Sequence, residues 1–407
     1  MEFFSLQFLV FIALLVLAYE LGPVRPYRRV ILSFANMVFL LTFLENLSDG
    51  LALAGFVLLS YGMLLAAQRW RWRWTAAVFI LLAVIFLLLL KRYDFLQGWL
   101  PEALLQHPLS IIGISYMTFK LIHVIVDLRQ GQLAPLDLLC YANYQLGFFS
   151  LVAGPIQRYN HFRDFWTGCD EIDTAQGEGL RAWNRVLTGL LKVGALAPVA
   201  FYVYEATRGA ISSSSSASLT LAAFLGLFYA YPAYIYFNFS GYCDVVIGAA
   251  RMLGMHHQEN FNRPYLARDM IDFWNRWHIS LTLWIRDYVF MSSYKSLVER
   301  WPRVAKPAGY GLLFVALLLA GIWHGPSLNF IVFGLIHGVG VAVAQLYSDA
   351  LRAGLGRDGM RAYLANPWIR RVATGVTLNY ACFSFLFFMP GMDGTMRLLQ
   401  VVGARLL

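Results

Sequence analysis

Runs of uncharged, apolar residues recur along almost the whole chain, and they restrict its fold more than any other feature. A helix that crosses a membrane needs about 20 mostly apolar residues. Candidate spans lie near residues 4–21, 30–47, 51–67, 75–90, 109–128, 138–153, 183–205, 219–239, 241–254, 270–292, 308–323, 328–348 and 370–389. Some of these are short or polar, so the sequence predicts about eleven spans plus one or two re-entrant or interfacial helices.

The overall composition excludes most other protein classes. Hydrophobic residues make up 59% of the 407 residues and charged residues only 14%, against roughly 25% charged in soluble proteins. So much apolar surface cannot be hidden in one soluble core, and disorder and nucleic-acid binding are excluded despite the net charge of +9. The four cysteines show no CxxC spacing, which argues against a disulfide scaffold. The sequence predicts an all-α polytopic membrane protein with a single membrane domain over residues 1–407.

Lysine and arginine in the short loops predict the orientation of the chain, because cytoplasmic loops carry an excess of both. The first loop (25–29) and the third (68–74) are basic, whereas the second (45–50) is acidic. This alternation predicts that the N-terminus lies outside and that loops one and three are cytoplasmic. The polar, basic stretch at 251–269 is expected on the cytoplasmic side as well.

Ionisable side chains within a membrane are costly, so each one is a functional hypothesis. The eight histidines are therefore informative. Five are assigned to loops, polar segments or a structural polar helix face: His107, His123, His161, His256 and His257. His278, His324 and His337 remain as candidates for chemistry.

The segment around His278 is rich in aromatic and charged residues. Large apolar residues recur there at intervals of three and four, which predicts one helical stripe: Trp274, Trp277, Leu281, Trp284 and Tyr288. Asp272 lies four residues from both Arg268 and Arg276, a spacing that permits two ion pairs along one face. An interfacial amphipathic helix with an aromatic belt is the alternative interpretation.

His324 is followed at once by Gly325 and Pro326, residues that end helices. We therefore expect His324 at a helix break near membrane depth, where irregular backbone is tolerated only if it is buried in protein or lines a cavity. A core histidine bonded to a carbonyl is the alternative. His337 lies between two glycines, and close helix packing explains it as well as chemistry does. No histidine has the HExxH spacing of a metal site, so no metal is predicted.

Several segments taken together resemble the membrane-bound O-acyltransferases (MBOAT). One histidine ends a Trp-Asn-Arg-Trp-His sequence at 274–278, and another lies 46 residues later (324 − 278) in Gly-Ile-Trp-His-Gly at 321–325. Further segments are similar to motifs of the family, at 113–119, 153–159, 239–244 and 260–265. The resemblance extends from about residue 111 to about residue 340.

The resemblance implies a helical bundle around a central funnel and transfer of an acyl group to a hydroxyl. It implies that His324 is the general base, and that His278 orients the acceptor or holds the thioester carbonyl. It also implies a set of supporting or substrate-binding residues: Trp274, Asn275, Arg276, Trp277, Trp323, His337, Gly154 and Pro155.

Two bacterial branches of the family are similar to this chain. The D-alanyl transfer branch (DltB) has a similar length and resembles the chain at 262–265 and 286–291. The alginate O-acetyltransferase branch (AlgI) is closer at 239–244, but its Pro-Leu-Gly-Gly-Asn-Arg sequence is absent at 291–295. We favour D-alanyl transfer. Acetyl transfer to an exported polysaccharide of alginate or cellulose type is the alternative, and a non-enzymatic transporter or scaffold is a third.

The favoured branch also implies partners. No cofactor is bound, and the donor is a D-alanyl thioester on a phosphopantetheine carrier protein (DltC-like) that docks from the cytoplasm; acetyl-CoA is the donor in the acetyl case. A membrane-anchored acyltransferase (DltD-like) or a small membrane peptide acts downstream, in a bacterial inner membrane. Docking of an acidic carrier is assigned to basic residues, with ordinary membrane anchoring as the alternative: Arg263, Arg268, Arg286 and Lys295.

Overall fold

Long helices make up most of the computed structural model of this chain. The structure describes residues 5–22, 24–70, 74–91, 93, 113–168, 178–213, 216–389 and 392–406. The chain divides into two compact units. The first comprises Met1–Arg92, Leu96–Val193 and Ser240–Glu259, and the second Tyr93–Phe95, Gly194–Phe239 and Asn260–Leu407.

Nine helices of the described residues lie wholly in the first unit. They are α1 (Leu6–Glu20), α2 (Arg25–Leu41), α3 (Leu47–Arg69), α4 (Thr75–Lys91), α5 (Ile114–Arg129), α6 (Leu138–Leu146), α7 (Phe148–Leu151), α8 (Tyr159–Thr167) and α9 (Glu178–Leu191). Polar side chains join them internally: the Asn36 amide donates to Asn143 Oδ1 at 2.9 Å and so links α2 to α6.

The second unit carries the remaining helices. A π-helical turn, Lys192–Leu196, leads from α9 into α10 (Ala197–Ser213). Next comes α11 (Ala217–Met252), of which the part up to Phe239 belongs to the second unit. The others are α12 (Met270–Trp274), α13 (Ile279–Trp284), a π-helix (Ile285–Met291), α14 (Ser292–Arg300), α15 (Pro302–His324), α16 (Leu328–Ala365), α17 (Pro367–Phe385) and α18 (Met392–Leu406).

Five continuous helical segments of the described residues are long and apolar enough to cross a membrane. They are Leu47–Arg69, Glu178–Ser213, Ala217–Met252, Pro302–His324 and Leu328–Ala365. Two shorter apolar helices, Leu6–Glu20 and Thr75–Lys91, accompany them. The predicted helical, multi-span architecture is confirmed, while the number of eleven spans and the central funnel stay predictions.

One predicted boundary is wrong. The sequence was divided into spans at 219–239 and 241–254, but α11 continues unbroken for 36 residues. Gly241 does not end the helix, because it serves helix packing in the first unit. A β-carbon at this position would lie 2.6 Å from Val193 Cγ2 and 2.8 Å from Gly189 O.

Helices α15 and α16 pack closely against each other through glycines. A β-carbon on Gly334 would lie 2.8 Å from Leu318 O, and one on Gly338 would lie 2.7 Å from Phe314 O. Side chains larger than hydrogen would therefore push the two backbones apart. This close packing fixes the end of α15, where His324 lies, relative to the middle of α16, where His337 lies.

The histidine assigned to a structural network has that role. In the first unit, the Tyr159 N–H donates to His123 Nε2 at 3.2 Å, and the Tyr144 hydroxyl lies 3.1 Å from the same atom. Cys140, Cys243 and Cys382 are buried, and none of the three forms a disulfide. The predictions that concern residues 71–73 of the basic loop, His107 and Cys169 lie outside the described residues.

Candidate active site

The helix predicted around His278 is broken in the middle, and this break shapes the site. Helix α12 ends at Trp274, α13 begins at Ile279, and a π-helix replaces the expected α-helix from Ile285. Trp274, Trp277 and Trp284 are buried and Tyr288 is half-buried, but the residues do not form one helical stripe, so that prediction is wrong. The reason is that the backbone between the two helices pairs with a distant segment of the second unit.

The segment 260–262 forms a short antiparallel pairing with 276–279. The Asn262 N–H donates to Arg276 O at 2.9 Å, and the Ile279 N–H donates to Asn260 O at 3.0 Å. An isolated antiparallel β-bridge joins Phe261 to Trp277, between these two hydrogen bonds. The pairing leaves His278 with φ 45° and ψ 52°, in the left-handed region, at the N-cap position of α13. Few non-glycine residues adopt this conformation.

Asn260 caps the helix that begins after His278. Its Oδ1 accepts the N–H of Ser280 at 3.1 Å, while its carbonyl accepts the neighbouring N–H of Ile279. Two of the N–H groups that every helix start leaves unpaired are thereby satisfied by one residue. Asn260 is buried. The sequence had shown it only as the first residue of a family-like motif, without a role.

The His278 ring is buried among aromatic side chains. Its centroid lies 4.9 Å from the Phe239 ring and 6.3 Å from the Trp323 ring. Among the described residues, Nδ1 of His278 has no hydrogen-bond partner. A buried polar atom without a partner is unusual and calls for an explanation.

His324 is the last residue of α15, as the following Gly and Pro predicted. Its ring is half-buried, and it lies 4.8 Å from the Trp323 ring and 5.1 Å from the Phe388 ring. A β-carbon on Gly325 would overlap the Phe330 ring, so a larger residue here would have to displace that ring. Trp323 thus contacts both His278 and His324, the two histidines predicted to act together.

Side chains far away in the sequence hold the turn after His324. The Tyr93 hydroxyl donates to Ile322 O at 3.0 Å, which satisfies a carbonyl of the last turn of α15. The Asn329 amide donates to Met389 O at 2.7 Å, and its Oδ1 accepts from the Ser327 hydroxyl at 2.6 Å. Nothing local in the sequence pointed to these residues.

His337 uses both of its ring nitrogens within the protein. The Trp274 indole N–H donates to Nδ1 at 3.2 Å, and Nε2 lies 2.8 Å from the Ser384 hydroxyl. The Ser384 hydroxyl itself donates to Ala381 O at 2.7 Å, so Nε2 carries the ring proton and donates to Ser384. The ring is fully buried. This bonding suits a residue that positions Trp274.

The other predicted neighbours of His278 have different surroundings. Trp277 is buried and stacks on Phe273, with ring centroids 5.7 Å apart. Arg276 forms the predicted ion pair with Asp272 at 2.7 Å. Asn275 is exposed and lines an apolar cavity of about 230 Å³, together with Trp274 and Arg286.

The basic residues assigned to carrier docking are all exposed, but they do not form one cluster around a common cavity. Arg286 pairs with its neighbour Asp287 at 2.8 Å and lines the cavity that contains Asn275. Arg268 lines a different groove, and its backbone N–H, rather than its guanidinium, bonds Asp272 at 3.1 Å. Arg263 has a left-handed φ of 47°, and Lys295 lies on α14.

Gly154 and Pro155, which the resemblance assigned as supporting or substrate-binding residues, belong to the first unit, where they lie in the bend that follows α7. A β-carbon on Gly154 would overlap the Phe149 carbonyl, so the turn requires glycine. Among the described residues, no group of three histidine, cysteine or acidic side chains is arranged to hold a metal ion.

Comparison with known proteins defines the class to which this fold and this pair of histidines belong. The model of MBOAT, the membrane-bound O-acyltransferase family, matches residues 61–384, which includes His278 and His324. The chain belongs to this family. It is therefore an enzyme, a multi-pass membrane O-acyltransferase, and the alternative of a non-enzymatic transporter or scaffold is wrong.

The curated relatives fall into two groups. The teichoic acid D-alanyltransferase of Bacillus subtilis is 29% identical over 378 residues, which cover 87% of this chain and 89% of that protein. The corresponding protein of Lacticaseibacillus rhamnosus is 26% identical and covers 95% of this chain and 96% of its own length. The probable alginate O-acetylase AlgI of Pseudomonas aeruginosa is 34% identical, but over 59% of this chain and only 44% of its own length.

Proposed function

We propose that this O-acyltransferase moves a D-alanyl group from a carrier-protein thioester to a hydroxyl of a cell-envelope polymer or its intermediate acceptor. The observation that carries the proposal is the contact of His278 and His324 with one indole, that of Trp323. The half-buried His324 is reachable by a substrate, whereas His278 is buried beside it. Similarity to D-alanyltransferases over nearly the whole chain supports the choice of acyl group.

His324 is proposed as the general base. A neutral imidazole takes the proton of the acceptor hydroxyl while the oxygen attacks the thioester carbonyl, forming the new C–O bond. When the intermediate collapses, the C–S bond breaks, and the imidazolium returns its proton to the departing thiolate. The products are the O-acyl ester and the free thiol of the carrier arm, and His324 is again neutral.

His278 is proposed to stabilise the negative charge that develops on the carbonyl oxygen. Its Nδ1 is buried and has no hydrogen-bond partner among the described residues, and we propose that an N–H there donates to the oxyanion once the substrate carbonyl occupies the space beside the ring. Donors fixed in advance at such a place stabilise the transition state more than the ground state. The antiparallel pairing with 260–262 and the rings of Phe239 and Trp323 keep the imidazole fixed.

The carrier protein is proposed to dock on the exposed basic residues Arg263, Arg286 and Lys295. Acidic carriers are attracted to such a surface, mainly through a faster association rate. Arg268 is left out of this surface because it lines a separate apolar groove. The proposal includes a bacterial inner-membrane location with the N-terminus outside, and a downstream membrane-anchored acyltransferase or small membrane peptide as the next acceptor.

Acetyl transfer to an exported polysaccharide is the second candidate function. It is favoured by one observation, the identity of 32% to 34% with AlgI-type relatives over about 250 residues. The same two histidines would serve it, with acetyl-CoA or another acetyl donor in place of the carrier thioester.

The experiment compares the two donors directly. Purified protein in proteoliposomes receives either a D-alanyl carrier thioester or acetyl-CoA together with the envelope polymer, and mass spectrometry identifies the ester formed. We expect a D-alanyl ester. Acetyl esters alone would contradict the proposal and support the second candidate. An enzyme that forms neither ester from either donor would contradict both.

A further inference from the structure

The ring of His324 has aromatic side chains around it that general-base catalysis by itself does not need. Its centroid lies 4.8 Å from the ring of Trp323, 5.1 Å from that of Phe388, 5.9 Å from that of Phe333 and 6.4 Å from that of Phe330. The rings also contact one another, since the Phe388 centroid lies 5.2 Å from that of Phe330 and 5.1 Å from that of Phe333. We call these four rings the aromatic cluster.

The exposure of the aromatic cluster shows which of its rings a substrate can touch. Trp323, Phe330 and Phe388 are half-buried, as His324 itself is, whereas Phe333 is only 2% exposed. Part of each half-buried ring is therefore accessible close to the proposed base. An acyl group that is placed for attack beside His324 lies within contact distance of these rings.

The chain that carries the Phe388 ring is fixed by side chains from two other helices. The Asn329 amide, at the start of α16, donates to Met389 O at 2.7 Å. The Tyr231 hydroxyl, on α11, donates to Phe388 O at 3.1 Å. Because this segment is already ordered, little conformational entropy is lost when a ligand contacts the ring.

Two features of this place favour a positive charge. The face of an aromatic ring is electron-rich, and tryptophan or phenylalanine attracts a cation that lies within about 6 Å of the ring centroid. In addition, α15 ends at His324, and the carboxyl end of a helix carries a partial negative charge that stabilises cations near its last turn. The side chains and the backbone therefore favour the same kind of ligand group.

The donor of the proposed reaction has such a group close to the reacting carbon. The α-amino group of a D-alanyl thioester is mainly protonated at pH 7. It is separated from the carbonyl carbon by one carbon atom, a distance of about 2.5 Å. An acyl carbon that is attacked beside His324 therefore brings the ammonium group to the aromatic cluster. An acetyl group carries no charge that could use these rings.

We propose that the aromatic cluster determines the acyl specificity of the enzyme by binding the ammonium group of the D-alanyl donor. The cation–π contacts come from the accessible rings of Trp323, Phe330 and Phe388. This inference rests on the proposed function, to which it adds the residues that select the acyl group. A neutral acyl group of the same shape fits the same space but lacks the attraction to the ring faces.

The test compares two donors of the same shape that differ in charge. One carrier protein is loaded either with a D-alanyl thioester or with an isobutyryl thioester, in which a methyl group replaces the ammonium group. Acyl transfer by the full-length protein in proteoliposomes gives kcat/KM for each donor. Wild type should prefer the D-alanyl donor about tenfold or more.

Variants of two accessible rings should change this preference. Phe388→Leu and Phe330→Leu each keep an apolar side chain but remove one ring, so each should lower the preference about threefold or more. Phe388→Tyr keeps a ring face and should retain the preference. The matched control is Phe383→Leu, because Phe383 is exposed on α17 and its ring contacts that of Phe387 at 5.6 Å. It should transfer both donors like wild type.

The possible failures of this proposal and of the proposed function are distinct. Equal transfer of the two donors by wild type would overturn the aromatic cluster as the specificity site and leave D-alanyl transfer standing. An equal fall for both donors in Phe388→Leu would also overturn it, because the ring would then serve only to pack against His324. Absence of D-alanyl transfer by wild type would overturn the proposed function, and this proposal with it.

Discussion

At the scale of single residues, the backbone of His278 is the most unusual feature of the candidate site. A left-handed conformation costs an L-residue about 1–2 kcal/mol. The segment 260–262 offsets this cost by three hydrogen bonds to the backbone at 276–280. Because the ring direction follows from the backbone, Asn260 determines where the imidazole lies without needing to touch substrate.

Replacing Asn260 tests this positioning role. Asn260→Leu leaves the buried Ser280 N–H without an acceptor, which costs about 1–3 kcal/mol. If about 1.4 kcal/mol of that cost falls on the geometry of His278, kcat falls about tenfold while KM changes little. Asn260→Asp retains the acceptor oxygen and should recover most of kcat. Steady-state kinetics and thermal unfolding of each purified variant provide the check.

The matched control for this variant is Asn262→Leu. Asn262 is exposed, and its bond to Arg276 O comes from its backbone N–H, which the substitution keeps. This variant should behave like wild type. A wild-type kcat for Asn260→Leu would show that the pairing serves stability alone.

Sequence reasoning found the residues whose signals are local. Gly325 and Pro326 directly follow His324, so these three adjacent residues were enough to predict the helix break. Asn260, Tyr93 and Asn329 were not assigned a role, because their partners lie 20, 229 and 60 residues away. An asparagine that caps a distant helix looks in the sequence like any other loop asparagine.

At the scale of elements, the site depends on the tight antiparallel pair of α15 and α16. The glycines between these helices allow the backbones to approach closely, as small residues do in membrane proteins generally. This contact places the helix end at His324 close to α16, where His337 bonds Trp274. The π-helix Ile285–Met291 is a second irregular element beside the site, and such elements are frequent at functional sites.

Gly334→Ala tests the helix pair. The added methyl group would lie 2.8 Å from Leu318 O, and overpacking of this kind costs about 1–3 kcal/mol. We expect a lower unfolding temperature and lower acyl transfer. Gly354→Ala on the same helix meets nothing within 4 Å and should stabilise slightly, because alanine favours helices over glycine by about 1 kcal/mol. Equal effects of the two substitutions would contradict this account of the packing.

The elements that were mispredicted share one cause. Spacings of three and four between apolar residues indicated one helix through His278, and Gly241 suggested a boundary in α11. In both places a tertiary contact decided the outcome: a distant strand-like segment broke the first helix, and close packing against Gly189 kept the second continuous. Periodicity alone does not contain either contact.

At the scale of the whole molecule, charged groups have two uses. Some form the candidate docking surface, and others stabilise the first unit through ion pairs. Arg185 on α9 pairs with Glu259, which follows α11, and with Asp244 at 3.2 Å. Lys192 contacts the same Asp244 at 2.5 Å, and Arg251 lies 3.6 Å from Glu259. Part of the net positive charge therefore serves structure and does not anchor loops.

This ion-pair group predicts how stability depends on pH. Burial raises the pKa of Glu259, but the hydrogen bonds and charge of Arg185 outweigh burial, so its pKa lies below the ordinary value. A lowered pKa in the folded state means that the stabilisation is complete at neutral pH and is lost as the pH falls through that lowered value. Unfolding temperatures of wild type and Glu259→Gln should therefore differ most near pH 7 and converge in acid.

Glu205→Gln is the control for the pH experiment, because Glu205 forms an exposed contact with Arg208 at 3.5 Å. Its unfolding temperature should follow that of wild type at every pH. A difference between Glu259→Gln and wild type that stays constant from neutral to acidic pH would contradict the assigned role of the ionised carboxylate.

The central claim is that His324 takes the proton from the acceptor hydroxyl, and one measurement tests it most directly. Acyl transfer is measured with purified wild type, His324→Ala and His161→Ala, the last being an exposed histidine on α8. General-base catalysis contributes roughly 10²–10⁴-fold, so His324→Ala should lose at least about 10²-fold in rate at unchanged membrane yield, and His161→Ala should keep full activity. Wild-type transfer by a well-folded His324→Ala would contradict the account.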